Sequence, residues 1–145
     1  MKTNFIRKHE DSDTFVIKRS SFFDAPVHLD GNLIVGNDTD FWSDLEVAGS
    51  LELGKGVTVG GSVRAASAII GANSRINGSV KTEQTCMVLD SARIGGDIAA
   101  GGDIMLRPNA RARIVDAKGN IEITGKTNVA ELRAGKKIIA RKDLQ

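Results

Sequence analysis

Residues 45–71 read Leu45-Glu46-Val47-Ala48-Gly49-Ser50-Leu51-Glu52-Leu53-Gly54-Lys55-Gly56-Val57-Thr58-Val59-Gly60-Gly61-Ser62-Val63-Arg64-Ala65-Ala66-Ser67-Ala68-Ile69-Ile70-Gly71. Leu45, Leu51, Val57, Val63 and Ile69 fall six residues apart. Two residues after each come Val47, Leu53, Val59, Ala65 and Gly71, and the residues between are Glu46, Glu52, Thr58, Arg64 and Ile70. Side chains alternate faces along a strand, so each six-residue unit sends two apolar groups inward and mostly polar ones outward. A six-residue period drifts around a helix and makes no stripe. An antiparallel sandwich needs strands every 8–12 residues with hairpin turns. Very short strands joined by tight corners that always turn the same way describe a β-solenoid.

The rest of the chain extends this unit. Gly-(Ser/Asn/Asp)-aliphatic tripeptides begin at Gly31, Gly49, Gly61, Gly78, Gly96, Gly102 and Gly119, at intervals of 18, 12, 17, 18, 6 and 17. Three six-residue faces make one coil of 17–18 residues, matching the commonest intervals. The expectation is an all-β, single-stranded parallel β-helix of about six coils over residues 31–140, a rod about 30 Å long at the spacing of paired strands. Glycine suits a corner because it tolerates positive φ or a close backbone approach, and the polar residue after it can bond to neighbouring backbone. These glycines read as structural corners. A phosphate-cradling loop would need a helix behind it, and none is expected. Residues 1–13 are expected to be a flexible tail, 14–30 a lead-in or cap, and 141–145 a short C-terminal tail.

Composition agrees with a narrow aliphatic interior: 41% of residues are hydrophobic but only 4% aromatic. The single cysteine, Cys86, excludes an internal disulfide and any multi-cysteine metal site, and reads as a small core residue. No run of 18 apolar residues or secretory h-region is visible, so a cytoplasmic protein is expected. Charge is uneven. Residues 1–59 carry 6 basic and 10 acidic side chains, and residues 60–145 carry 14 and 8.

Corners of the form Gly60-Gly61-Ser62-Val63 and Arg93-Ile94-Gly95-Gly96-Asp97-Ile98 resemble those of the bactofilins, polymer-forming bacterial cytoskeletal proteins. The resemblance covers residues 28–140. It implies a right-handed β-helix that assembles end to end into filaments without nucleotide, by contact of like ends. The segment 105–118, with Pro108, Arg107, Arg111 and Arg113, is less regular than the family pattern. So is the lead-in with Phe22-Phe23 and Phe41-Trp42.

Catalytic chemistry finds little support. Hexapeptide-repeat acyltransferases rely on a histidine base, and the related zinc enzymes on three histidine ligands. Only His9 and His28 are present, both ahead of the regular coils. A trimeric acyltransferase-like protein and a monomeric solenoid adaptor remain the alternatives to a scaffold. Asp38 and Asp40 resemble a calcium loop superficially but lack the later bidentate Glu, and read as a loop insertion. Asp97 and Asp103 read as corner residues. No metal, cofactor, small-molecule substrate or nucleic acid is expected, and the basic residues read as a solvated face.

A solenoid leaves two open ends, and unpaired edges recruit other chains. The expected partner is therefore the chain itself. Its contacts are assigned to Phe22, Phe23, Phe41 and Trp42 near one end and to Ile138 and Ile139 at the other. The N-terminal stretch Phe5-Ile6-Arg7-Lys8 offers at most a weak membrane contact.

Overall fold

A computed structural model describes residues 6–8 and 13–142. Its strands stack as a β-solenoid of about seven turns. The first coil holds β2 (Thr14–Ile17), β3 (Phe22–Phe23) and β4 (Val27–Leu29), preceded by β1 (Ile6–Lys8). The second holds β5 (Asn32–Val35), β6 (Asp40–Phe41) and β7 (Leu45–Val47), and the third β8 (Ser50–Leu53), β9 (Thr58–Val59) and β10 (Val63–Ala65). The fourth holds β11 (Ser67–Ile70), β12 (Arg75–Ile76) and β13 (Val80–Thr82), and the fifth β14 (Cys86–Val88), β15 (Arg93–Ile94) and β16 (Ile98–Ala100). The sixth contains β17 (Ile104–Leu106) and β18 (Arg111–Ala117), the seventh β19 (Ile121–Thr124) and β20 (Asn128–Ala134). Finally, β21 (Ile138–Arg141) begins an eighth.

Every coil-to-coil pairing is parallel, in steps of 18 residues (Leu33 to Leu51, Cys86 to Ile104) or 17 (Ser50 to Ser67, Ile121 to Ile138). The first strand of each coil forms face 1, which is one continuous sheet. The second and third strands form faces 2 and 3, which merge where β18 and β20 run through their shared corner. The core is one column of stacked aliphatic rows. Leu33, Leu51, Ala68, Cys86, Ile104 and Ile121 make one, and Ile17, Val35, Leu53, Ile70, Val88 and Leu106 another, all at most 3% exposed. Burying each larger member contributes roughly 1.5–3 kcal/mol relative to exposure.

Three expectations need correction. Residues 14–30 are no separate cap: they form a full coil in register with the next, giving about seven turns rather than six. Its corner Asp24-Ala25-Pro26 has no glycine, so the motif hides it. Within the stretch expected to be flexible, residues 6–8 form β1, which pairs antiparallel with β2 and covers the N-terminal edge of face 1. Ile69 points outward, with Ala68 and Ile70 buried on either side, because the corner Ala66-Ser67 is one residue shorter than its neighbours.

The slack segment 105–118 has a simple cause. Between inward residues, the corner from face 2 to face 3 spans three residues in earlier coils, such as Gly95-Gly96-Asp97 between Ile94 and Ile98. It spans two, Arg113-Ile114, between Ala112 and Val115. The shortened corner loses its glycine, and the strand runs through it without a break.

The corner glycines serve close approach, not unusual torsions. None of the seven has positive φ. A Cβ on Gly61 would lie 2.0 Å from Asp44 Oδ1, and one on Gly119 2.1 Å from Asp103 Oδ1. That space belongs to a polar ladder. The Ser62 backbone N–H donates to Asp44 Oδ1 at 2.8 Å, Ser79 N–H to Ser62 Oγ at 3.1 Å, and Asp97 N–H to Ser79 Oγ at 3.0 Å. A second corner repeats this: Ser50 N–H donates to Asn32 Oδ1 at 2.9 Å, Asn120 N–H to Asp103 Oδ1 at 2.8 Å, and Lys137 N–H to Asn120 Oδ1 at 3.1 Å. Positive φ falls on the third corner, at Ser20, Asp38, Gly56, Asn73, Ser91 and Asn109, with values from 59° to 71°. Asp38 is thus a standard corner position, and no loop is inserted there.

Candidate assembly surfaces

The two ends of the solenoid differ. At the C-terminal end, β20 and β21 pair on one side only among the described residues. Inward residues that are fully buried in earlier coils are open here. Ile138 is 51% exposed, and Ile123, Val129, Leu132 and Ala134 are half-buried. Lys126, Arg133, Lys136, Lys137, Arg141 and Lys142 surround them, all exposed. Arg141 pairs with Glu122 at 3.0 Å, and Arg133 donates to Glu131, which raises the pKa of its guanidinium. At the N-terminal end, β1 covers face 1, and among the described residues β3 and β4 are the end strands of faces 2 and 3. Val27 and Leu29 are half-buried, and their coil exposes Asp13, Asp24 and Asp30 together with Lys18 and Arg19.

The six residues assigned to contacts separate into three groups. Phe23 and Phe41 are core: they are 7% and 1% exposed, and their rings stack 5.1 Å apart. Phe22 and Trp42 lie on the outside of face 2, meeting edge to face at 4.6 Å, with Trp42 66% exposed. Ile138 faces the open C-terminal end, whereas Ile139 lies on the outer side of face 1. The spacing held the signal that separates the aromatics, because Phe23, Leu29, Val35, Phe41 and Val47 fall six apart.

Sequence reasoning also missed an apolar row. Val16, Ile34, Ile69, Met87, Met105 and Ile139 stack along the outside of face 1, interrupted by Glu52 and Glu122. Beside it runs a shallow groove of about 370 Å³, bordered by Thr85, Asp103 and Asn120. Each member of the row lies between two inward residues and is visible once the alternation is followed through every coil.

On face 2 the outward column reads Phe22, Asp40, Thr58, Arg75, Arg93, Arg111 and Asn128. The three arginines are exposed and make no ion pair or side-chain hydrogen bond among the described residues. They contrast with Arg107 and Arg113, held by Asp90 at 3.2 Å and Asp97 at 2.8 Å.

Groups with chemical potential are spoken for or isolated. Cys86 is buried in the core, and desolvation pushes its thiol up to about 12, so it stays protonated and unreactive near neutral pH. His28 is exposed, with Asp30 at 3.4 Å and Glu46 at 3.8 Å. His9 lies outside the described residues. Asp97 and Asp103 accept backbone N–H groups from the next coil, as corner residues do. Among the described residues, no three His, Cys, Asp or Glu side chains are grouped to hold a metal ion, and no helix is long and apolar enough to cross a membrane. Comparison with known proteins gives no match among family models, curated proteins or solved structures.

Proposed function

We propose that this chain is a self-assembling scaffold, in which solenoid subunits stack end to end into nucleotide-independent filaments. The observation that carries this reading is the open C-terminal coil. It presents aliphatic side chains and strand edges with no partner among the described residues, in the geometry that each internal coil uses to bind the next. A parallel edge accepts any strand of the same twist and register, and the strands of a second copy have both. The resemblance to bactofilins points the same way. Charge opposes contact of two C-terminal ends, since that rim is basic, and the N-terminal coil, with Asp13, Asp24 and Asp30 beside Lys18 and Arg19, is a less repulsive mate for it. This differs from the like-end contact that the resemblance implies.

The test is electron microscopy with sedimentation of the purified chain and of Ile138→Asp. Long filaments of a few nanometres' width are expected from the parent, and their loss from the variant, with the circular dichroism of both unchanged. Discrete trimers would replace the scaffold with the hexapeptide-enzyme reading, and a monomer with the adaptor reading. Raising salt from low to high should shorten filaments built from unlike ends. Filaments indifferent to salt would favour contact of like ends.

A further inference from the structure

Face 2 is divided by charge along its length. Its first two coils display Asp40 and the Phe22–Trp42 pair, and its fourth to sixth display Arg75, Arg93 and Arg111. Like charges directly opposite across paired strands destabilise a sheet, here at a spacing of about 4.8 Å. The arginine column therefore costs stability in the isolated chain, and a negative partner relieves that cost. A linear polyanion lying along this face would run onto Asp40. A second copy of the chain, turned end for end, would not.

We propose that face 2 is a lateral interface between two antiparallel copies of this chain, in the register that sets coil n of one against coil 7 − n of the other. In that register Asp40 meets Arg93, and Thr58 meets Arg75 across the two-fold axis. The ring of Phe22 meets the Arg111 guanidinium, a cation–π arrangement. In the adjacent outward column, the projecting Trp42 side chain lies opposite Gly95, which has no side chain to obstruct it. Each contact occurs twice by symmetry, as an isologous interface requires. Six coils overlap, over about 29 Å at the spacing of paired strands. A contact of this size is modest for one pair and is multiplied when subunits are linked in a row. An antiparallel pair of filaments joined this way has no net polarity, even where each filament is built from unlike ends.

The lateral contact is measured apart from end stacking by using Ile138→Asp as background and reading mass by light scattering and sedimentation. A dimer at low salt is expected. Arg93→Asp alone and Asp40→Arg alone should each raise its Kd about a hundredfold, and the double exchange should restore it, because like-charge juxtaposition is strongly unfavourable and the exchange re-forms the pair. Independently, in the otherwise unaltered chain, Thr58→Cys mixed with Arg75→Cys should give an oxidised cross-linked pair that neither forms alone. A monomer at about 100 µM, well above the Kd expected for a contact of this size, overturns the proposal. So does a dimer indifferent to both charge reversals. Retention of a monomeric protein on heparin, lost in Arg93→Asp, overturns it in favour of a polyanion.

Discussion

Ile98 on face 3 and Ile138 on face 1 are the same residue type at inward positions of one repeat. Both point inward, and both belong to parallel strands. Ile98 has a coil on either side and is 0% exposed; Ile138 has a coil on one side only and is 51% exposed. The contrast shows what a solenoid coil is worth by itself: half of its burial comes from the coil that follows. In such a stack, stability is a sum over neighbours, and the last coil lacks one.

The largest expected effect tests this contrast directly. Ile98→Ala should cost about 3–4 kcal/mol in urea unfolding, as a buried isoleucine does when it leaves a cavity. Ile138→Ala should cost under about 1 kcal/mol in the unassembled chain, because solvent already reaches the site. Equal losses would mean that the C-terminal end is covered in solution. A loss at Ile138 that grows with protein concentration would identify the cover as another copy.

A second comparison sets two corners against each other. Gly61→Ala forces a methyl onto Asp44 Oδ1, whereas at Gly102 the nearest atoms lie 3.1 Å away. The expected losses are about 2 kcal/mol and under about 1 kcal/mol, within the ordinary range for strain at a special position. If Gly102→Ala costs as much as Gly61→Ala, close approach to the polar ladder is not what these glycines provide.

The smallest effect concerns the left-handed corner. Ser91 holds φ at 62°, a region that asparagine tolerates better and that Asn73 and Asn109 occupy in the coils on either side. Ser91→Asn should raise stability by about 0.5 kcal/mol, readable as a small rise in Tm. A loss would show that the Ser91 hydroxyl makes a contact that asparagine cannot replace.

Much of this architecture is legible in residues 45–71, because inward rows and close-packed corners both repeat there every six residues. Legibility fails where one of the two signals drops out. The first coil keeps its inward row, Phe23 and Leu29, but turns through Pro26 in place of a glycine. The sixth and seventh coils keep Val115 and Leu132 but lose a corner residue, so the step of six breaks. Reading Phe41 as a contact residue followed its size and ignored its position in the row. The division of face 2 was hidden differently: Arg75, Arg93 and Arg111 are 18 residues apart and become a column only once the coils are stacked.

The polar ladder also carries a direction in time. In every rung the side chain belongs to the earlier coil and the backbone N–H to the later one. A coil leaving the ribosome therefore already displays the side-chain acceptors of this ladder that the next stretch of chain will need, while others of its own N–H groups, such as those of Leu45 and Val57, are completed by Ser62 and Ser74 of the later coil. Synthesis and folding can advance together, each coil serving as the mould for its successor. The series stops at Lys137, whose ammonium group can only donate, so in this ladder the last turn offers no mould for another.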